Sequence, residues 1–227
     1  RDFCLSRGLG DVYKRQYHYS KGDTEMVKTY MYRAYRFVWL CGIPLTLGLI
    51  AVSSNFVPWF FGSGYEKVVS LLGVLSMLIL AIGINNVTGM QYLIPTERQT
   101  LFTITVIIGA VANFVLNFVL IRFLQSLGAA IASVVAETTI AVIQIYIVRR
   151  ELSPYQIIKS GIHYYIAGGM MFVILMNIKN VFTPSILHTL ALVIIGAVIY
   201  GVALVLMRDE FLLVNANNII KKILKRC

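Results

Sequence analysis

The sequence predicts an all-α integral membrane protein with six transmembrane helices, and three observations carry that prediction. With 58% hydrophobic and 13% charged residues and a mean hydropathy of +0.78, the chain lies outside the soluble range and inside the polytopic membrane range. Apolar runs of about 20 residues recur along it, each long enough at about 1.5 Å per helical residue to cross a hydrocarbon core about 30 Å thick. Lys and Arg, finally, fall on alternate connections.

The first 16 residues, RDFCLSRGLGDVYKRQ, have no apolar stretch and no initiator Met, so they read as neither a signal peptide nor a span. Asp11–Gln16, DVYKRQ, resembles the in-frame translation of a transposase mosaic-end adapter used in sequencing libraries. Residues 1–16 are therefore expected to be an artefact without a fold, with natural sequence starting near Tyr17 inside a longer gene. Residues 17–36 are polar and helix-compatible. Gly22-Asp23-Thr24 can start a helix with Glu25 in its first turn, where an acidic group complements the dipole. Tyr30, Tyr32 and Tyr35 beside Arg33 and Arg36 suit an aromatic belt with a basic flank. This segment is expected to be a cytoplasmic amphipathic linker along the membrane surface.

Residues 37–207 are expected to form a six-helix transmembrane bundle with spans Phe37–Phe61, Val68–Leu93, Leu101–Ile121, Gly128–Val148, Ile157–Ile178 and Ile186–Met207. The fifth is the weakest, because Lys159, His163 and Asn177 leave a short apolar centre. After it, residues 208–227 set Ile219, Ile220, Ile223 and Leu224 against Lys221, Lys222, Lys225 and Arg226. That pattern is a basic amphipathic tail, which either binds anionic membrane lipid or serves as a solvated end that enforces topology.

Beyond the first 16 residues, one side of the membrane would hold Lys21, Lys28, Arg33, Arg36, Arg98, Arg149, Arg150, Lys159, Arg208 and the four cations of the tail. The other would hold only Lys67, Arg122 and Lys179. The positive-inside rule then places both termini in the cytoplasm. The net charge of +10 reads as topology and contact with anionic lipid, and no nucleic-acid partner is expected. Cys4, Cys41 and Cys227 form no CxxC and no cluster with His or Asp, so neither a disulfide framework nor a metal site is indicated.

Polar residues inside apolar spans carry the functional signal. Gly109, Asn113 and Asn117 recur every four residues, forming one stripe on the third span. Glu137 sits mid-way along the fourth, where a carboxylate costs roughly 2.5–3.5 kcal/mol on insertion scales, and shares its face with Ser133, Ala141 and Gln144. Two readings stand. Amides and small residues hold helices together, or they line a hydrophilic path. Because the Arg122–Leu127 connector is short, Asn113, Asn117 and Glu137 are expected at similar depth. Asn85, Asn86, Thr88 and Gln91 near the inner end of the second span read as a cavity mouth, and Pro44 in the first span as a kink or gate. His18, His163 and His188 cannot form one site. No nucleophile with its base, paired carboxylates or phosphate-cradling glycine loop is present, so enzymatic chemistry and cofactors are not expected.

Several stretches resemble the polysaccharide (O-antigen type) flippases of the multidrug/oligosaccharidyl-lipid/polysaccharide exporter superfamily: SKGDTEMVKTYMYRAYRFV, GIPLTLGLI, FVPWFFGSGYEKVVSLL, GMQYLIPTERQT, GAVANFVLNFVLI and GAAIASVVAE. The likeness runs from about Tyr17 to Glu151 and more weakly to the end. One departure is RFLQSL, where the family usually has a proline and a glycine before GAA. The resemblance implies most of the C-terminal lobe of a two-lobe transporter in the bacterial inner membrane, with the N-terminal lobe missing. It also implies translocation of an undecaprenyl-diphosphate-linked oligosaccharide for surface polysaccharide or lipopolysaccharide biosynthesis, without bond-making and without a hydrolysed cofactor. The alternatives are a multidrug/cation antiporter of the same superfamily and a membrane polysaccharide polymerase or ligase. The latter would be expected to show a large extracytoplasmic loop, which these short outer loops lack.

Overall fold

The computed structural model describes residues 24–209 and Phe211. Residues 1–16, the start of the linker and nearly all of the tail lie outside the described residues. Among those described, every regular element is helical, and six helices are long and apolar enough to cross a membrane.

The first helix, α1 (Thr24–Phe61), has 38 residues and is about 57 Å long, nearly twice a hydrocarbon core. It has no break at residue 36, so the expected linker and first span belong to one helical element from Thr24 onward. The reason is local. No glycine or proline occurs between Thr24 and Cys41, and Val27, Met31 and Tyr35 recur every four residues as a buried stripe.

Helix α2 (Lys67–Asn85) runs into a π-helical segment, Asn86–Leu93. Thr88 Oγ1 donates to the Ile84 carbonyl at 2.9 Å, competing for the bond that an α-helix would give to the Thr88 amide. Tyr35 Oη donates in turn to Thr88 Oγ1 at 2.7 Å. Pro95 ends the segment, and Thr96 Oγ1 caps the Tyr92 carbonyl at 2.8 Å.

Helices α3 (Gln99–Leu124) and α4 (Ser126–Val148) form an antiparallel hairpin joined through Gln125 alone. Gln125 has φ 53°, a conformation favouring glycine. Beside it, the two helices approach so closely that a Cβ at Gly128 would collide with the Leu120 carbonyl. Farther along, a Cβ at Gly109 would collide with Ile140.

The expected fifth span starts later than its apolar residues imply. Pro154 opens a separate short helix, α5 (Pro154–Lys159), with proline in the first turn. Ser160 closes it by donating its amide to the Gln156 carbonyl at 2.9 Å and its hydroxyl to that of Ile157 at 2.6 Å. The spanning helix is α6 (Ile162–Ile178), extended by a 3-10 turn at Lys179–Val181, so Lys159 lies outside it. The last span is α7 (Ile186–Leu206), whose N-cap Ser185 accepts the His188 amide at 3.2 Å.

The described residues divide into two compact units: residues 24–38 with 74–160, and residues 39–73 with 161–209. The first contains the α3–α4 hairpin and the π-helical segment; the second contains α6 and α7.

Candidate functional site

The α3–α4 hairpin carries an open groove of about 380 Å³ whose wall includes Gly109, Asn113 and Asn117 from α3 and Ala136, Glu137 and Ile140 from α4. Helical period puts the three α3 residues on one line. The hairpin register sets Asn113 against Ser133, Nδ2 to Oγ at 3.5 Å, and Gly109 against Ile140. Asn117 Nδ2 donates to Asn113 Oδ1, so the two amides form a short ladder along the groove.

Glu137 is half-buried and held from α2. Asn85 Nδ2 donates to Glu137 Oε2 at 2.6 Å and to the Glu137 backbone carbonyl at 3.0 Å. This amide positions the carboxylate at the groove wall. Asn85 Oδ1, by contrast, is buried without a hydrogen-bond partner. An orphaned acceptor in a low-dielectric setting is costly.

The remaining expected residues are placed elsewhere. Gln144 is fully buried and does not line the groove; its Nε2 donates to Thr105 Oγ1 at 3.1 Å and its Oε1 has no partner, so it ties α4 to α3. Asn86 is exposed and Gln91 half-buried, both on the π-helical segment. Helix α1 continues unbroken through Pro44. Proline has no amide hydrogen for the Leu40 carbonyl four residues earlier, and Tyr200 Oη donates to that carbonyl instead, at 3.0 Å.

Sequence reasoning missed three clusters. Glu151 accepts both guanidinium nitrogens of Arg98, at 2.7 and 3.0 Å, and the Tyr92 hydroxyl. Burial alone pushes the Glu151 carboxyl up, but the hydrogen bonds from Arg98 and Tyr92 and the charges of Arg98 and Lys28 outweigh it and hold it below the usual carboxylate range. Asn55 is buried with its Nδ2 on the Phe182 and Thr183 carbonyls, at 3.0 and 3.3 Å, while its Oδ1 accepts Thr189 Oγ1 at 2.8 Å; Trp59 Nε1 donates to that hydroxyl, also at 2.8 Å. Asp209 accepts the Tyr164 hydroxyl at 3.2 Å beside His163 Nδ1 at 3.3 Å. A polar residue at the end of each span was the available signal, but the partners lie 45 to 134 positions away.

The fold and groove define the class: a multi-pass, all-α membrane protein with a mainly apolar cleft between two spanning helices that carries two amides and a carboxylate. No protein-family model and no solved structure matches the chain. A 67-residue stretch, 30% of the chain, is 33% identical to the lipopolysaccharide biosynthesis protein WzxC of Escherichia coli (strain K12). That stretch spans 14% of the length of the E. coli protein.

Proposed function

We propose that the chain is part of a bacterial inner-membrane flippase that moves an undecaprenyl-diphosphate-linked oligosaccharide across the bilayer during surface polysaccharide biosynthesis. The observation that carries the reading is the groove in which Asn113, Asn117 and the Asn85-held Glu137 converge. Amides that both donate and accept suit sugar hydroxyls, and a carboxylate kept at membrane depth suits a titrating or cation-binding step. The partial similarity to a lipopolysaccharide biosynthesis protein supports the same choice. In this reading the described helices belong to the C-terminal lobe of a two-lobe transporter with both termini cytoplasmic, and the partner lobe completes the cavity. Asn86 and Gln91 stand at its mouth, and Pro44, where α1 lacks one backbone hydrogen bond, is its flexing point.

A multidrug/cation antiporter is the second reading, favoured by the same lone carboxylate. The test is made in the intact gene. Glu137→Gln keeps shape and most hydrogen bonding but abolishes titration, and it is expected to impair polysaccharide export by an order of magnitude or more, ~1.4 kcal/mol per decade, at normal protein abundance. Glu137→Leu is expected to lower export further. Normal export in the Gln variant rules out an essential charge at this position. Intact polysaccharide alongside lost drug resistance would favour the antiporter.

A further inference from the structure

Arg149 and Arg150 follow directly on Val148, the last residue of α4, and neither makes an ion pair with a described residue. Their neighbours are already paired: Lys28 with Glu25 at 2.8 Å, and Arg98 with Glu151 at 2.7 Å. Beside the two arginines lies a pocket of about 330 Å³ whose wall includes Lys28, Tyr32, Ser153 and Gln156, along with the two neutralised carboxylates. The guanidinium of Arg149 lies over the Tyr146 ring, 3.8 Å from its centroid. Stacking uses the face of the guanidinium and leaves its N–H edge free for an oxyanion. Tyr32 Oη accepts the Ser153 amide at 3.1 Å, so its own O–H remains to donate.

A second cavity lies on the same helix. An apolar groove of about 310 Å³ is lined by Val134, Val135, Thr138, Thr139, Val142 and Ile143. The two threonine hydroxyls are bonded to the Val134 and Val135 carbonyls at 2.7 Å, leaving the groove without a free donor there. Val135, Val142, Tyr146 and Arg149 stand seven, four and three residues apart, which is one face of α4. Along that face Val142 is about 10 Å and Val135 about 21 Å from Arg149. The half-thickness of a hydrocarbon core is about 15 Å, so a single leaflet's acyl chain starting at the arginines ends within the groove.

We propose that Arg149 and Arg150 hold the phosphate of an anionic glycerophospholipid whose acyl chain lies in the α4 groove. Two unpaired guanidiniums complement the phosphate, and the groove supplies an apolar trough that a free anion would not need. Arginines that merely offset the negative end of the helix dipole would not discriminate between headgroups. This inference does not depend on the flippase reading.

The test uses the purified chain in a neutral detergent, with bound lipid read by native mass spectrometry. Phosphatidylglycerol should be retained in preference to phosphatidylethanolamine. The double substitution Arg149→Gln, Arg150→Gln should weaken that retention by roughly fivefold for each guanidinium removed, the equivalent of about 1 kcal/mol each. Arg149→Lys, Arg150→Lys, which keeps the charge but not the stacked guanidinium edge, should retain more than the Gln variant and less than wild type, and the melting temperature should be unchanged in both, separating binding from folding. Val142→Trp, filling the groove, should also reduce phosphatidylglycerol retention. The proposal is overturned if the Gln variant keeps phosphatidylglycerol at wild-type affinity, or if phosphatidylethanolamine binds equally well. It is also overturned if inorganic phosphate displaces the lipid at equal concentration, or if a polyprenyl diphosphate takes the site in preference to phosphatidylglycerol.

Discussion

In the α3–α4 hairpin, polar side chains run along the length of the spans, whereas in the α6–α7 hairpin, Tyr200 apart, they gather towards the ends. Asn113, Asn117, Glu137 and Gln144 all lie within the former pair of helices. The latter has Tyr164 and His163 beside Asp209 at one end, and at the other Thr189, which bonds Asn55 and Trp59 of α1. Between those ends it packs Met171 and Leu175 against Gly196, all buried. Apolar and small side chains thus make the mid-span contact between two spanning helices in this chain, as membrane packing energetics allow. Mid-span amides and a carboxylate add interhelical polar contacts in the α3–α4 hairpin, Gln144 to Thr105 and Asn113 to Ser133.

The largest expected effect compares one substitution in the two hairpins. Gly128→Ala puts a Cβ against the Leu120 backbone and is expected to destabilise by about 1–3 kcal/mol. Gly169→Ala meets nothing within 4 Å and, with better helix propensity, is expected to be neutral or stabilising by up to about 1 kcal/mol. Thermal melting in detergent distinguishes them; equal shifts would mean that α3 and α4 are not in close contact.

Next in size is the ion pair beyond the polar hairpin. Glu151→Gln should cost about 1 kcal/mol, the value for a charge-assisted pair discounted for its partial exposure. A carboxyl whose folded pKa is depressed adds stability above its unfolded value of about 4.5, and that stability is lost as pH falls through the lower folded value. Wild-type melting temperature should therefore drop below about pH 4.5, while the Gln variant starts lower and drops less. Parallel acid limbs would show that Glu151 is not held charged by Arg98.

Tyr200→Phe, in the second unit, removes the donor to the Leu40 carbonyl and should cost about 0.6–1.7 kcal/mol, the range for hydrogen bonds in membrane helices. In a Pro44→Ala background the amide returns to that carbonyl, so the same change should be nearly silent. A double-mutant cycle without such coupling breaks the account. The smallest effect is Gln125→Gly, which relieves a non-glycine residue at φ 53° and should stabilise the α3–α4 turn by up to about 1 kcal/mol. Destabilisation would show that the Gln125 side chain matters more than its backbone.

How much was legible depends on the length scale of each signal. The six spans could be read because bilayer thickness sets helix length and composition reports burial in lipid. The amide stripe on α3 could be read because 3.6-residue periodicity is local. The start of the fifth span was misplaced because Ile157 and Ile158 look apolar, whereas Pro154 and Ser160 set them apart as a separate turn. Gln144 read as a neighbour of Glu137 on one face, yet the two stand about 10 Å apart along α4, and Gln144 is buried against Thr105 and Gly89 while Glu137 reaches the groove wall.

From sequence alone followed the membrane class, the number of spans and the presence of costly polar groups among them. These depend on composition and on repeats shorter than one helix. Only the tertiary structure decided which polar group meets which: Asn85 with Glu137 across 52 positions, Arg98 with Glu151 across 53, Tyr200 with the carbonyl that Pro44 leaves free across 160. In lipid, an unpaired polar group has no water to turn to. Where the partner is not on the same helix, as Asn113 is for Asn117, its place is set by how the helices pack, which no local pattern encodes.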